Sequence, residues 1–182
     1  VTKPTQRILV IIDGSNFYHK AKKLAPEVHL SNLDYIKLCR LITELDNFRV
    51  EYCVGEIKLD KRNPKSERLY SSQQALFYQL EKQQVKIEKG YILKVGNVYH
   101  EKGVDVRIAL DILKGALKDE FDICFIVSSD TDILPAVKDA IAEGKEVVYV
   151  GFEDFFSWAM SINCSRRRII TKKMLEACQC TH

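Results

Sequence analysis

Two apolar runs that each end in carboxylates constrain this chain more than any other feature. The first, Arg7-Ile8-Leu9-Val10-Ile11-Ile12-Asp13, is largely β-branched and breaks at Gly14. The second, Ile123-Cys124-Phe125-Ile126-Val127-Ser128, leads into Ser129-Asp130-Thr131-Asp132. Apolar runs of this length without alternation belong to strands covered on both faces, the situation of a parallel sheet between helices. Further strands are expected at Val85 to Ile92, at Glu146 to Gly151, and at Arg49 to Ile57, whose interrupting charges place it towards an edge.

Between the strands the spacing turns helical. A helix is expected to start at Ser15, and others to run over Leu33 to Leu45 (Leu33, Ile36, Leu38, Leu41, Ile42 and Leu45 recurring), Glu67 to Gln83 (Leu69, Ala75, Leu76, Phe77 and Leu80 inward) and Val104 to Leu117 (Val106, Ile108, Ala109, Leu110, Ile112 and Leu113). Pro135 opens a helix that ends at Gly144, and a short helix over Phe155 to Ile162 and a basic tail close the chain. Alternating strands and helices define βαβ units: an α/β fold, three-layer α/β/α, with a mostly parallel Rossmann-like central sheet. Such sheets place function beyond the carboxyl ends of their strands, where Asp13 and Asp130 fall.

The 182 residues suit one domain, residues 1–182, with a core at about 7–151 and a C-terminal helical and basic extension at 152–182. Opening on Val1 rather than Met, the sequence is expected to be processed or excised, with a flanking domain beyond it. No apolar run approaches the roughly 18 residues that span a bilayer and no signal-like stretch precedes Arg7, so a soluble, cytoplasmic protein without a membrane partner is expected. Six cysteines without a CxxC pair read as free, mostly buried thiols, with at most adventitious metal binding at Cys178-Gln179-Cys180-Thr181-His182.

Three segments aim carboxylates at one place: Ile12-Asp13-Gly14-Ser15-Asn16, Lys102-Gly103-Val104-Asp105 and Ser128-Ser129-Asp130-Thr131-Asp132. An aspartate after a strand alone is commonly a helix N-cap. Several gathered together repel one another and need a cation or protons to coexist. Mg²⁺ or Mn²⁺, hard ions that take oxygen ligands, suit that need and supply activated water for attack on a phosphodiester. None of His19, His29, His100 and His182 lies in these segments. Asp111, six residues past Asp105, lies about 120° around a helix from it and does not share its face.

Taken in this order, the three motifs resemble the NYN domain, a branch of the PIN-like nuclease superfamily, over roughly Arg7 to Gly151. The resemblance implies a PIN-like architecture and a metal-dependent (endo)ribonuclease that hydrolyses RNA through an aspartate-bound Mg²⁺ or Mn²⁺. It assigns Asp13, Asp105, Asp130 and Asp132 as the carboxylates and Asn16 as the motif asparagine that orients Asp13 or a metal-bound water. The chain departs from the pattern at Ser129, often glycine, at Thr131, often serine, and at Ile133, often aromatic.

RNA, single-stranded or structured, is the expected partner. A net charge of only +3 says little, but two basic stretches stand out. One holds Lys58, Lys61, Arg62, Lys65 and Arg68; the other holds Arg166, Arg167 and Arg168, with Lys172 and Lys173. Each is a backbone track if it borders the acidic pocket and a solvated face otherwise. Lys102 either meets a phosphate or pairs with an aspartate, and Tyr70 and Tyr78 are candidates for base stacking. A homo-oligomer or a separate RNA-binding partner domain is also compatible with the chain. The competing readings are a non-catalytic RNA-binding or regulatory module that keeps the fold, and a phosphatase or Toprim-like enzyme, against which Asp13-Gly14-Ser15 lacks the second aspartate of a DxD.

Overall fold

The computed structural model describes residues 6–60, 63–95 and 98–180. Its strands are β1 (Ile8–Asp13), β2 (Arg49–Glu56), β3 (Lys86–Val95), β4 (Val98–Lys102), β5 (Ile123–Val127), β6 (Glu146–Phe152) and β7 (Arg166–Ile170). Its helices are α1 (Gly14–Leu24), α2 (Tyr35–Thr43), α3 (Pro64–Lys82), α4 (Val104–Leu117), α5 (Leu134–Ala142), α6 (Trp158–Asn163) and α7 (Lys172–Ala177). The strands form one sheet in the order β4-β3-β2-β1-β5-β6-β7, parallel except for the β3–β4 pair.

β1 is buried along its whole length, and its side chains serve the two faces in turn. Ile8, Val10 and Ile12 enter one core with Phe17 of α1, Leu38 of α2 and Phe77 and Leu80 of α3. Leu9 and Ile11 enter the other with Ile108 and Ile112 of α4, Val137 of α5 and Met160 of α6. This is the expected three-layer α/β/α sandwich. Full burial of residues such as Ile11, Ile12 and Phe17 contributes about 1.5–3 kcal/mol each. The chain leaves β1 for β2 on one side and returns as β5 on the other, so the order reverses at β1 and opens a crevice beyond the carboxyl ends of β1 and β5.

Several expectations need correction. β2 is not near an edge but lies between β1 and β3, and its interrupting charge Glu51 is buried and paired with Lys86 of β3 at 3.1 Å. β4 was not anticipated; it forms an antiparallel hairpin with β3 and leads into α4. The basic tail is instead the edge strand β7 followed by α7, and Ile170, Leu175 and Cys178 sit in the core. Leu41, Leu45, Leu69, Val106 and Leu110, read as inward, are exposed. All six cysteines are free, four of them buried. Among the described residues no helix is long and apolar enough to cross a membrane.

Candidate active site

Asp13 ends β1 and caps α1. Its Oδ1 accepts the N–H of Asn16 at 3.0 Å, and its Oδ2 accepts the hydroxyl of Ser128, just past β5, at 2.8 Å. The N-cap role is therefore real, yet it uses only part of the carboxylate's accepting capacity. Only 4% exposed, Asp13 has its pKa raised to about 6; burial is the main cause, the two hydrogen bonds oppose it, and the charges of Asp105 and Glu101 add to it. Such close placement of α1 requires Gly14, where a Cβ would fall 2.5 Å from the Tyr52 ring and 2.9 Å from Val54.

Asp105 lies in the first turn of α4, behind a Gly103 cap at φ 80° that a side chain would strain. Burial pushes its pKa up, and repulsion from Asp130, Glu101 and Asp132 pushes it further. Asp13 feels the charge of Asp105, and Asp105 that of Asp130 and Asp132, so the three predicted segments share one electrostatic neighbourhood at the carboxyl end of the sheet. The loop after β5 is folded on itself: Asp130 accepts the N–H of Asp132 at 2.9 Å, and Ser128 Oγ accepts the N–H of Asp130 at 3.1 Å. Asn16 Oδ1 accepts the N–H of Ser129 at 3.3 Å, so the motif asparagine fastens α1 to this loop. Ser129, where the family often has glycine, uses its hydroxyl. It pairs with the Tyr149 hydroxyl at 2.9 Å, which itself accepts the N–H of Ser157.

Two charged residues at the site escaped the sequence reading. Glu101, on the unanticipated β4, accepts the Ser15 hydroxyl at 2.9 Å and the Gly55 N–H at 2.6 Å, and raises the pKa of both Asp13 and Asp105. Half-buried Lys20 stands one turn after Asn16 on α1; burial lowers its pKa, against the opposing pull of Asp13 and Asp130. The available signals were the Gly96-Asn97 pair, a hairpin cue, and the i, i+4 spacing of Asn16 and Lys20.

The basic residues divide. Lys58, Lys65, Arg68 and Lys102 are exposed, while Lys61 and Arg62 lie outside the described residues. Arg166 stands opposite Val148, four residues before Phe152 ends its pairing with Ile170, so it sits roughly 13 Å below the carboxyl rim. Arg166 pairs with Glu146, Arg168 with Glu44 at 2.9 Å, and Arg167 lies over the Phe156 ring at 5.5 Å. Arg166 therefore stands well below the carboxylates and Arg168 is engaged by Glu44, while Arg167 packs on the Phe156 ring, which in turn lies against Tyr149. Lys172 pairs with Glu27, and Asp111 pairs with Arg107 at 2.8 Å. Phe77 is core, Tyr70 is half-buried and Tyr78 is exposed.

Among the described residues no three His, Cys, Asp or Glu side chains close into a ready-made metal cage. The donors at the site are instead hard oxygens of mutually repelling carboxylates. That chemistry fits a hydrated Mg²⁺ or Mn²⁺, which takes one or two carboxylates and keeps its waters.

A doubly covered, mostly parallel sheet with acidic residues at its topological switch defines an α/β protein with a polar site at the strands' carboxyl ends. The sequence model of the NYN domain matches residues 7–171, and the chain belongs to the NYN domain family, whose fold is that of PIN-like nucleases. It is similar to an uncharacterized protein of Methanocaldococcus jannaschii, 25% identical over 158 residues, which are 87% of this chain and 52% of that protein. The chain thus spans about half the length of that relative. A crystal structure of a Vibrio parahaemolyticus protein of unknown function shares the fold with a TM-score of 0.67 and 18% identity, over 93% of this chain and 96% of that one.

Proposed function

We propose that this chain is a metal-dependent ribonuclease that hydrolyses RNA phosphodiester bonds at Asp13, Asp105, Asp130 and Asp132. The observation that carries the reading is Asp13: a buried carboxyl at the switch point of the sheet, its pKa raised to about 6 by burial and by neighbouring carboxylates. The cap alone does not call for an ionisable group at this depth, since asparagine or serine caps a helix as well. A divalent cation bound there, Mg²⁺ or Mn²⁺, would supply charge neutralisation at the scissile phosphate and an activated water.

The chain's own residues complete the task. Asn16, Ser128, Ser129 and Tyr149 hold the two acidic loops in one arrangement, so that little reorganisation is needed when substrate binds. Asp13 must be ionised to bind a cation, which sets a lower pH limit on activity. Lys20, facing Asp13 and Asp130, is placed to meet a phosphate oxygen beside the carboxylates. Six free cysteines accord with a reducing compartment, and cytoplasmic RNA is the proposed substrate pool.

The test is incubation of 5′-labelled single-stranded and structured RNA with the purified protein, in Mn²⁺, in Mg²⁺ and in EDTA. Cleavage that needs the cation supports the reading. Cation-independent binding without cleavage contradicts it and leaves a non-catalytic RNA-binding module.

A further inference from the structure

Beside the carboxylates lies a groove that the proposed chemistry does not use. Its near lobe, about 390 Å³, begins at Gly14, Ser15 and Glu101 and is walled by Tyr18, His19 and Leu76. Its far lobe, also about 390 Å³, shares Ile57, Leu69 and Ile92 with the near one and ends at Lys58 and Lys65. Each lobe alone has the volume of a small-molecule site. The two lobes adjoin through that shared apolar wall, with Glu101 at the near side and Lys58 and Lys65 at the far one.

Three features restrict what fits. The floor is apolar over most of its area, and Gln73 beneath it is already committed: it accepts the Ile57 N–H and donates to the Gly55 carbonyl, both at 2.8 Å. Such a floor suits an occupant with flat apolar faces. Tyr18, 50% exposed, and His19 stand edge-to-face at 5.4 Å between ring centroids and present π surface to the near lobe. The ionisable lining is mixed, with Glu101 and Lys22 in the near lobe and Asp60, Lys58 and Lys65 in the far one, and the exposed Lys58 and Lys65 offer counter-charge to a polyanion's backbone.

We propose that this two-lobed groove seats successive nucleobases of single-stranded RNA on one side of the scissile phosphate, with Tyr18 and His19 as the stacking surface and Lys58 and Lys65 on the backbone. The proposal rests on the reading of the carboxylates as a nuclease site. Base stacking on π surface tolerates any sequence. The near lobe therefore selects for unpaired strand rather than for a particular base. Paired RNA, whose bases are stacked within the duplex, is excluded from it.

The experiment measures binding in EDTA, so that chemistry plays no part. Fluorescence anisotropy compares a labelled adenosine octanucleotide with an octamer of abasic ribose phosphates that carries the same charge. The protein should bind the base-bearing strand at least about tenfold more tightly. Tyr18→Ala and Leu69→Gln, both at exposed helical positions and neither altering charge, should abolish most of that preference while leaving abasic affinity within about twofold. Equal binding of the two octamers, or a preference untouched by both variants, overturns the proposal. So does failure to bind either strand, which would make the groove a site for a peptide or small molecule. The outcomes separate the two claims. A protein that prefers bases through Tyr18 and Leu69 but cuts nothing in Mn²⁺ keeps the groove and loses the nuclease. One that cuts RNA without that preference keeps the nuclease and loses the groove.

Discussion

Replacing Asp13 by Asn should make the metal-free protein more stable at pH 8 and not at pH 4. Asp13 has its pKa lifted from the usual aspartate value near 3.9 to about 6, which corresponds to about 3 kcal/mol between its two protonation states. Because the folded value is the higher one, the contribution is fully present below about pH 4. It is lost as pH rises through 6, and above that the ionised, buried group opposes folding by about 3 kcal/mol. Asparagine removes the charge but offers one accepting oxygen to two donors, Asn16 N–H and the Ser128 hydroxyl, which costs about 1 kcal/mol. The net gain at pH 8 is about 2 kcal/mol, or roughly 4–8 °C in Tm for a chain of this size. At pH 4 the variant should be slightly the weaker of the two.

Urea denaturation of both proteins in EDTA across pH 4 to 8 reads this directly. Asp119 and Asp122, whose pKa values are lowered chiefly by hydrogen bonds from Arg7, titrate alike in both proteins and cancel in the difference. Addition of Mn²⁺ should reverse the order at pH 8, since saturation a hundredfold above Kd stabilises the wild type by about 2.7 kcal/mol and leaves the variant unmoved. Stability curves that stay parallel from pH 4 to pH 8 would refute the argument that Asp13 is held charged at a cost to the fold.

Tyr149→Phe deletes a buried hydroxyl that serves Ser129 and Ser157; it should cost about 1–3 kcal/mol in urea denaturation and slow RNA cleavage by loosening the acidic loop. Gly14→Ala places a methyl against Tyr52 and Val54 and should destabilise by about 1–3 kcal/mol, measured the same way. Lys58→Ala with Lys65→Ala should flatten the logarithmic salt dependence of RNA binding by roughly 1.4, at about 0.7 per phosphate contact. Arg166→Ala with Arg168→Ala, which break pairs with Glu146 and Glu44, should leave that slope unchanged.

What the sequence made legible follows burial. β1 and β5 announce themselves because strands covered on both faces carry no polar interruption, and the aspartates that follow them stand out for the same reason. β4 and β7 lie at the two edges of the sheet, where one side needs no partner and polar residues are tolerated, so Val98 to Lys102 and Arg166 to Ile170 did not read as strands. Glu101 was hidden with its strand. In β2 the charge that suggested an edge is Glu51, and its partner Lys86 arrives from a neighbouring strand that no local pattern reveals. Lys20 is hard to single out for a related reason: its i, i+4 spacing from Asn16 is a weak cue, and the docking of α1 over β1 decides which of Lys20, Lys22 and Lys23 comes near Asp13 and Asp130. The exposed Leu69 and Val106 satisfied helical spacing without facing the core, and Leu69 instead floors the groove.

The most direct test of the central claim is the rate at which Asp130→Asn cleaves a labelled single-stranded RNA in saturating Mn²⁺. This substitution is mild, because Asp130 Oδ1 accepts the Asp132 N–H from its own loop and asparagine keeps that oxygen. The account predicts an unchanged fold, by circular dichroism and urea denaturation, with cleavage reduced at least about a hundredfold, or about 2.7 kcal/mol in the barrier. Cleavage at the wild-type rate by the folded variant would contradict it.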